Sequence, residues 1–208
     1  MKKRNFLSAM LLALCLMGAG LNAQAQETPQ TDSETNLETQ LYLIVGTNQD
    51  VDASKLPASV EPVVKQLRAT LPFKNYRLAA TLINRVKNEG RLDLSWIGGP
   101  LASAVPGATT TTPSFSQFKV RQVKIVRNSE GQQVVQMLGF NFGARIPIQT
   151  SGAVAANGAV TPAFNYENTG LATDISMRES EPVIVGTLNV GPSGDAIILV
   201  VSAKRTQK

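Results

Sequence analysis

The 208-residue sequence contains no histidine and only one cysteine, Cys15. These absences exclude Ser-His-Asp and Cys-His catalytic triads, and they exclude zinc sites built on imidazole or several thiolate ligands. Carboxylates alone can still bind calcium or magnesium, but no segment is dense enough in Asp and Glu to form such a loop. We therefore expect the chain to carry no metal and no cofactor.

The first residues have the pattern of an export signal. Residues 2–4 are basic, residues 6–17 form an apolar stretch too short to span a bilayer comfortably, and residues 23–25 resemble a small-x-small cleavage site. We expect a signal peptide over residues 1–25, cleaved after Ala25, and thus a periplasmic or outer-membrane-associated location. An uncleaved membrane anchor is the alternative. Lipidation at Cys15 is disfavoured because the preceding leucine is bulky.

Cleavage would remove most of the positive charge. The chain has 20 Lys and Arg against 15 Asp and Glu, and residues 1–25 contain three of the basic residues and none of the acidic ones. The mature chain would then carry 17 basic and 15 acidic residues, a net charge of +2. A balance so close to neutral is no sign of nucleic-acid binding, and we expect no nucleic-acid partner. Without its cysteine the mature chain must be stabilised by packing alone.

The first half of the mature chain predicts a small α+β unit. Residues 26–38 are polar and acidic, and we expect a disordered leader there. Over residues 39–97 an apolar run precedes valines and leucines at helical spacing, and the apolar period then changes from 3.6 to 2. Asn88, Glu89 and Gly90 form a turn signal between two alternating segments. This region therefore reads as strand, helix and hairpin.

The second half predicts antiparallel strands. Residues 98–114 are small, polar and proline-punctuated and are interpreted as a linker, residues 115–204 as a sandwich-like β module, and residues 205–208 as a tail. Residues 150–162 form a small-residue loop within the module. One strand is expected to place Val134, Leu138, Phe140 and Phe142 on a single face, with an edge or a bulge at Gln136. The last strand, from residue 196 to 203, is continuously apolar, which is typical of burial on both faces.

Three segments of this module, taken in order, carry a resemblance. The first contains Ile146, Pro147 and Ile148; the second contains Tyr166, Gly170 and Leu171; the third contains Val185 and Gly186 and leads into the final apolar strand. Over residues 118–204 their order and spacing resemble the β-core of bacterial secretins, the outer-membrane channels of type II and type III secretion and of type IV pilus systems. An unrelated β-sandwich is the alternative.

The chain departs from the secretin pattern where the channel is made. Secretins carry a long membrane hairpin before the last strand, whereas here only residues 189–195 separate the two final strands. The segment between Ile148 and Phe164 is also too short for a gate. The resemblance is therefore to a shortened form that lacks the membrane hairpin and the gate. We expect no transmembrane span in the mature chain and no pore.

The resemblance implies an exported, non-catalytic structural or assembly module of the cell envelope, related to secretin-type secretion or pilus machinery. Its partner would be an envelope or secretin-type protein, or further copies of itself. The alternative is a periplasmic binding module for peptide, glycan or lipid, lined by aromatic residues: Tyr76, Trp96, Phe115, Phe118 and Tyr166.

Enzymatic chemistry would have to come from carboxylates, and we expect none. The candidates for acid/base groups are Asp93, Asp174, Glu179 and Glu181, and no motif surrounds any of them. We therefore assign no catalytic residue.

Overall fold

The computed structural model of the protein describes residues 35–50, 56–98, 113–154, 160–190 and 194–206, with backbone only at residues 149–154 and 160–162. The predicted signal peptide and residues 26–34 of the predicted leader lie outside these ranges. The described chain contains one short α-helix, α1 (Glu61–Thr70), preceded by a 3₁₀ turn at Ala58–Val60. It also contains eight strands: β1 (Asn36–Thr47), β2 (Asn75–Lys87), β3 (Gly90–Ile97), β4 (Phe115–Arg127), β5 (Gln133–Val154), β6 (Val160–Arg178), β7 (Val183–Val190) and β8 (Asp195–Arg205).

The strands form two four-stranded antiparallel sheets. Sheet A has the order β2-β1-β8-β7, and sheet B has the order β3-β4-β5-β6. The inner faces of the two sheets share one hydrophobic core, and the helix α1 covers the other face of sheet A. The predicted antiparallel, sandwich-like β class is therefore confirmed, and the helical part of the α+β prediction amounts to one short helix.

β8 lies at the centre of sheet A and takes part in both cores. Ile197, Leu199 and Val201 face the core between the sheets, whereas Ile198 and Val200 pack against the side of the sheet that α1 covers. All five side chains are almost fully buried. The prediction that this strand is buried on both faces is confirmed, and it explains why the strand has no polar alternation.

The predicted hairpin between β2 and β3 is wrong. β2 pairs with β1 in sheet A, and β3 pairs with β4 in sheet B. The turn at Asn88 and Glu89 instead carries the chain from one sheet to the other. The buried Asn88 side chain accepts a hydrogen bond from the Ile125 backbone N–H at 2.9 Å, and the Glu89 N–H donates to the Val123 carbonyl at 2.7 Å. Both bonds tie the corner to β4, so β3 turns away from β2.

Strands from the two predicted domains share both sheets. β1 of the first segment pairs with β8 of the second, and β3 pairs with β4 across the predicted linker. Residues 99–112 of that linker lie outside the described residues. Its two ends are held together because the Gly98 N–H donates to the Ser114 carbonyl at 2.7 Å. The boundaries of the predicted domains therefore do not coincide with the sheets.

Three other predicted boundaries differ from the structure. β1 already begins at Asn36, and Leu37 is fully buried, so residues 36–38 do not belong to a disordered leader. β8 includes Arg205, and Thr206 donates to the Asn36 carbonyl at 2.9 Å, so the tail begins later than expected. The predicted loop at residues 150–162 is largely strand, because β5 continues to residue 154 and β6 begins at residue 160.

β5 contains a bulge close to the predicted position. Its register with β6 shifts between Met137 and Phe140, and Gly139 has a φ of 62°. This left-handed conformation favours glycine because a Cβ atom would be strained there. The Asp174 carboxylate on β6 accepts a hydrogen bond from the Gly139 N–H at 2.5 Å. The alternative of a bulge near Gln136 is confirmed, and the alternative of an edge is wrong because β5 lies between β4 and β6.

The bulge changes which side chains of β5 face the core. An extra residue reverses the alternation of the strand beyond it. Phe140 and Phe142 therefore share the core with residues at odd positions before the bulge, namely Val135 and Met137. The predicted single face of Val134, Leu138, Phe140 and Phe142 is wrong at its first two members.

Alanine substitutions at two glycines of sheet B are expected to differ in their effect on stability. A Cβ atom at Gly170 would lie 2.7 Å from the backbone oxygen of Phe142, whereas one at Gly143 would meet the flexible end of Gln117 at 3.1 Å. We expect Gly170→Ala to destabilise the fold by about 1–3 kcal/mol and Gly143→Ala to change it by about 0.5 kcal/mol or less. Urea denaturation of both variants measures this. Equal stability of the two variants would contradict the close approach of β5 and β6 at Gly170.

The ion pair between Glu179 and Arg205 is expected to stabilise the fold by an amount that decreases at acidic pH. Partial burial raises the pKa of Glu179, but hydrogen bonds from the Arg205 side chain and backbone and the Arg205 charge outweigh it and lower the pKa below 4.5. A lowered carboxyl pKa stabilises the fold above the unfolded-state pKa, and this contribution is lost as the pH falls through the folded-state pKa.

We expect Glu179→Gln to lower the free energy of unfolding at pH 7 by at most about 1 kcal/mol, because the pair is partly exposed. The difference from the unmodified chain should diminish as the pH falls through the lowered, folded-state pKa of Glu179. Urea titrations at several pH values measure it, with Glu181→Gln, in the neighbouring turn, as the matched control. A difference that is independent of pH would contradict this assignment.

Candidate functional site

A cleft of about 690 Å³ lies at one end of sheet B. All four strands of the sheet contribute to it, and the residues that line it are Ser95, Trp96, Ile97, Phe115, Ser116, Gln117, Gly143, Ala144, Arg145, Asn168 and Thr169. Most of this lining is apolar.

The strand register explains why a cleft forms at this end of sheet B. Ile97, Phe115, Arg145 and Asn168 are successive cross-strand partners and form one row across the sheet. The next row on the same face contains Ser95, Gln117, Gly143 and Gly170. Since the two glycines have no side chains, no side chain covers the backbone of β5 and β6 at these positions, next to the larger side chains of the first row.

The rim of the cleft is unusually apolar. Ile97 is 70% exposed and Phe115 is 40% exposed, and the two residues are directly paired across β3 and β4. Among the described residues only Ile83, 61% exposed on β2 of sheet A, is a comparable exposed hydrophobic residue. Contiguous exposed apolar side chains beside a cavity are typical of a binding surface, whereas single ones are common on any protein.

One cation lies at the edge of this apolar rim. The Arg145 guanidinium carbon lies 5.1 Å from the centre of the Tyr166 ring, and that ring lies 5.9 Å from the ring of Phe115. The Tyr166 hydroxyl donates a hydrogen bond to the Pro113 carbonyl at 2.9 Å, which holds the ring in place. Arg145 is exposed, and no carboxylate of the described chain pairs with it. Its hydrogen-bond donors are thus available to a ligand.

Two buried hydroxyl groups lie next to the cleft. Ser116 lines it, and Ser114 precedes β4; both are buried, and neither hydroxyl has a hydrogen-bond partner within the described ranges. Buried polar groups normally have a partner. Ser116 is the cross-strand partner of Trp96 and Ala144, so its side chain lies on the face of sheet B opposite to Ile97 and Phe115.

The aromatic residues predicted for a binding site divide into two groups. Trp96 and Phe115 line the cleft, and Tyr166 packs on Phe115 beside it. Phe118 is fully buried between the sheets, and Tyr76 lies under α1, where its hydroxyl donates to the Leu67 carbonyl at 3.1 Å.

Sequence reasoning missed Ile97 and Arg145. A signal for Ile97 was present, because the alternation of Leu92, Leu94 and Trp96 places Ile97 on the opposite, otherwise polar face of β3. No comparable signal marked Arg145, since its proximity to Tyr166 depends on how β5 pairs with β6.

The residues of the secretin resemblance lie along β5, β6 and β7. Pro147 is the cross-strand partner of Tyr166, and Ile146, next to it, belongs to the main core, against which Ile148 also packs. Gly170 is paired with Gly143. A Cβ atom at Gly186 would lie 3.0 Å from the Leu171 side chain, so these two positions meet where β6 passes β7.

Val185 lies on β7, an edge strand of sheet A. In the structure it is partly buried, packs against the main core and lies at a register shift of β7.

The four carboxylates considered for acid/base chemistry are far from forming one site. Asp93 pairs with Lys119 at 3.4 Å, Asp174 accepts from Gly139, and Glu179 pairs with Arg205 at 2.9 Å. Glu181 is exposed in the turn before β7. Within the described residues, no group of three or more Cys, Asp and Glu side chains is placed to hold a metal ion.

A second, polar pocket of about 210 Å³ lies on the outer face of sheet A. Its groups are paired with one another: Glu38 accepts from Gln40 at 2.8 Å and from Lys204 at 3.2 Å, and the Tyr42 hydroxyl bonds to Gln40 and lies 3.2 Å from the Ser59 hydroxyl. Such mutual pairing indicates a structural network rather than a ligand site.

In the part of the chain that the structure covers, no helix combines the length and the apolar character needed to cross a membrane.

No protein-family model and no curated protein matches this chain. Among solved structures, it is similar to the secretin InvG of the Salmonella SPI-1 type III secretion injectisome, at 8% identity and a TM-score of 0.34, over 84% of this chain and 65% of that one. For InvG from residue 176 to its end, in the open gate state, the TM-score is 0.36 at 8% identity, over 97% and 66%.

A second secretion system is represented among the similar structures. The structure of the Klebsiella pneumoniae type II secretion system outer membrane complex, with PulD, PulS and the PulC HR domain, matches at 12% identity and a TM-score of 0.32, over 84% of this chain and 39% of that one. The chain thus spans less than two thirds of the length of several of these neighbours. Similarity at this level assigns no family.

Proposed function

We propose that this chain is an exported, non-catalytic structural module of the bacterial cell envelope, related to secretin-type secretion or pilus machinery, and that it associates with a protein partner through the cleft of sheet B. The observation that carries the proposal is the pair of Ile97 and Phe115, which are exposed side by side at the mouth of the cleft. The order and spacing of the secretin-like segments support the envelope setting.

Association through this surface has a clear energetic basis. Burying a large aliphatic or aromatic side chain stabilises a contact by about 1.5–3 kcal/mol. Ile97 and Phe115 are adjacent, so one partner surface can bury both. In protein interfaces a few buried side chains typically account for most of the binding energy.

The arrangement of the carboxylates supports a role without catalysis. Asp93, Asp174 and Glu179 each have a local partner that explains their presence, and none of them lines the cleft. A catalytic carboxylate would need to reach a reacting atom in a substrate-sized cavity.

A second candidate is a periplasmic binding module for peptide, glycan or lipid, which the cleft itself favours. Its volume of about 690 Å³ lies within the range of small-ligand sites. The two candidates differ in what they require: an assembly module has to be found in a complex with a protein, whereas a small-ligand binding module does not.

The test is the size of the native complex. In cells that produce the protein, mild extraction of the envelope followed by size-exclusion chromatography with light scattering should place it above the mass of its monomer. The double variant Ile97→Asp with Phe115→Asp should elute as a folded monomer, because both side chains are already exposed and charging them leaves the core intact.

Ile83→Asp is the matched control, since Ile83 is exposed to a similar degree on the other sheet. It should leave the complex unchanged. A monomeric unmodified protein, or a complex that survives the double variant, would contradict the proposal.

A further inference from the structure

We infer that the occupant of the cleft is an extended polypeptide segment of the partner, lying across the strands of sheet B, with an apolar side chain on Ile97 and Phe115 and an acidic side chain on Arg145. This inference rests on the proposed function and adds the chemistry of the partner. It is argued from the spacing of three neighbouring residues in one cross-strand row.

Arg145 is prepared to bind a carboxylate. Its guanidinium group lies over the Tyr166 ring, which the hydrogen bond to the Pro113 carbonyl fixes. A guanidinium held in one orientation loses little conformational freedom on binding and presents paired donors to a carboxylate. Among the described residues that line the cleft, Arg145 is the only charged one.

The spacing of the row fits a polypeptide. Neighbouring strands lie about 4.8 Å apart. A point midway between the backbones of Ile97 and Phe115 therefore lies about 7 Å from the backbone of Arg145 along the row. In an extended peptide, side chains two residues apart point to the same side at a separation of about 7 Å. An apolar residue and an acidic residue at positions i and i+2 can therefore reach the rim and the arginine together.

The rest of the lining favours a polypeptide over a lipid chain. On the face of the sheet that carries Ile97, the cleft presents Ser95, Gln117 and Asn168, and Gly143 leaves the backbone without a side chain. Peptide N–H and C=O groups can satisfy such donors and acceptors, whereas an acyl chain would desolvate them without compensation.

The experiment uses a fluorescein-labelled peptide, Ser-Phe-Ser-Glu-Ser-Val with an amidated end, and a second peptide with glutamine in place of the glutamate. Fluorescence anisotropy measures the affinity of both for the mature chain. We expect the glutamate peptide to bind about fivefold to tenfold more tightly than the glutamine peptide, because its carboxylate adds a charge-assisted hydrogen bond with Arg145. Quenching of Trp96, the single tryptophan, reports binding at the cleft.

Arg145→Gln should reduce the ratio of the two affinities to about one, and Arg145→Lys should restore part of it. Arg121→Gln is the matched control, because Arg121 is another exposed arginine, on β4 and outside the cleft. It should leave the ratio unchanged. A ratio near one in the unmodified protein, or a ratio that Arg145→Gln does not alter, would overturn the inference.

The other occupants give different results. Decanoate that binds with the same dependence on Arg145 while neither peptide binds would identify a lipid site and overturn the inference. If the protein forms dimers that the peptide does not dissociate, and if Ile97→Asp does dissociate them, the occupant is a second copy of the chain. That result would also overturn the inference. Failure of the inference is separable from failure of the proposed function, because the native complex and its loss in the double variant are measured without any peptide.

Discussion

The fold depends on the burial of β8 on both faces. This strand lies between β1 and β7, and its alternate side chains enter the two hydrophobic cores, so it joins the helix, sheet A and sheet B into one packed unit. A chain without disulfides must obtain its stability from such burial. Because both faces of β8 are covered, the proposed partner surface lies on sheet B, where Ile97 and Phe115 are exposed among the described residues.

Sheet B is shaped by close approach at its small residues. Gly143 and Gly170 are cross-strand partners, and Gly170 leaves no room for a side chain against the backbone of β5. The same pair leaves the sheet bare beside Ile97, Phe115 and Arg145. The geometry of packing and the geometry of the cleft therefore have a common cause, and the cleft is formed by strands of the sandwich rather than by a surface loop.

Local sequence patterns predicted the strands better than their partners. The burial of β8 and the irregularity near Gln136 could be predicted because each depends on residues that are close together in the sequence. The change of sheet at Asn88 was not readable, since its hydrogen bond to Ile125 is a long-range contact. For the site, Trp96, Phe115 and Tyr166 were found as aromatic candidates, whereas Arg145 became a candidate only once the pairing of β5 with β6 placed it over Tyr166.

The central claim is that the row containing Ile97 contacts a protein partner in the envelope. Photo-crosslinking tests it most directly: a photoreactive amino acid replaces Ile97 in one variant and Ile83 in the other, and both are irradiated in cells that produce the protein. The account predicts one discrete adduct from position 97 and none from position 83. Equal crosslinking at both positions, or no adduct from position 97, would contradict it.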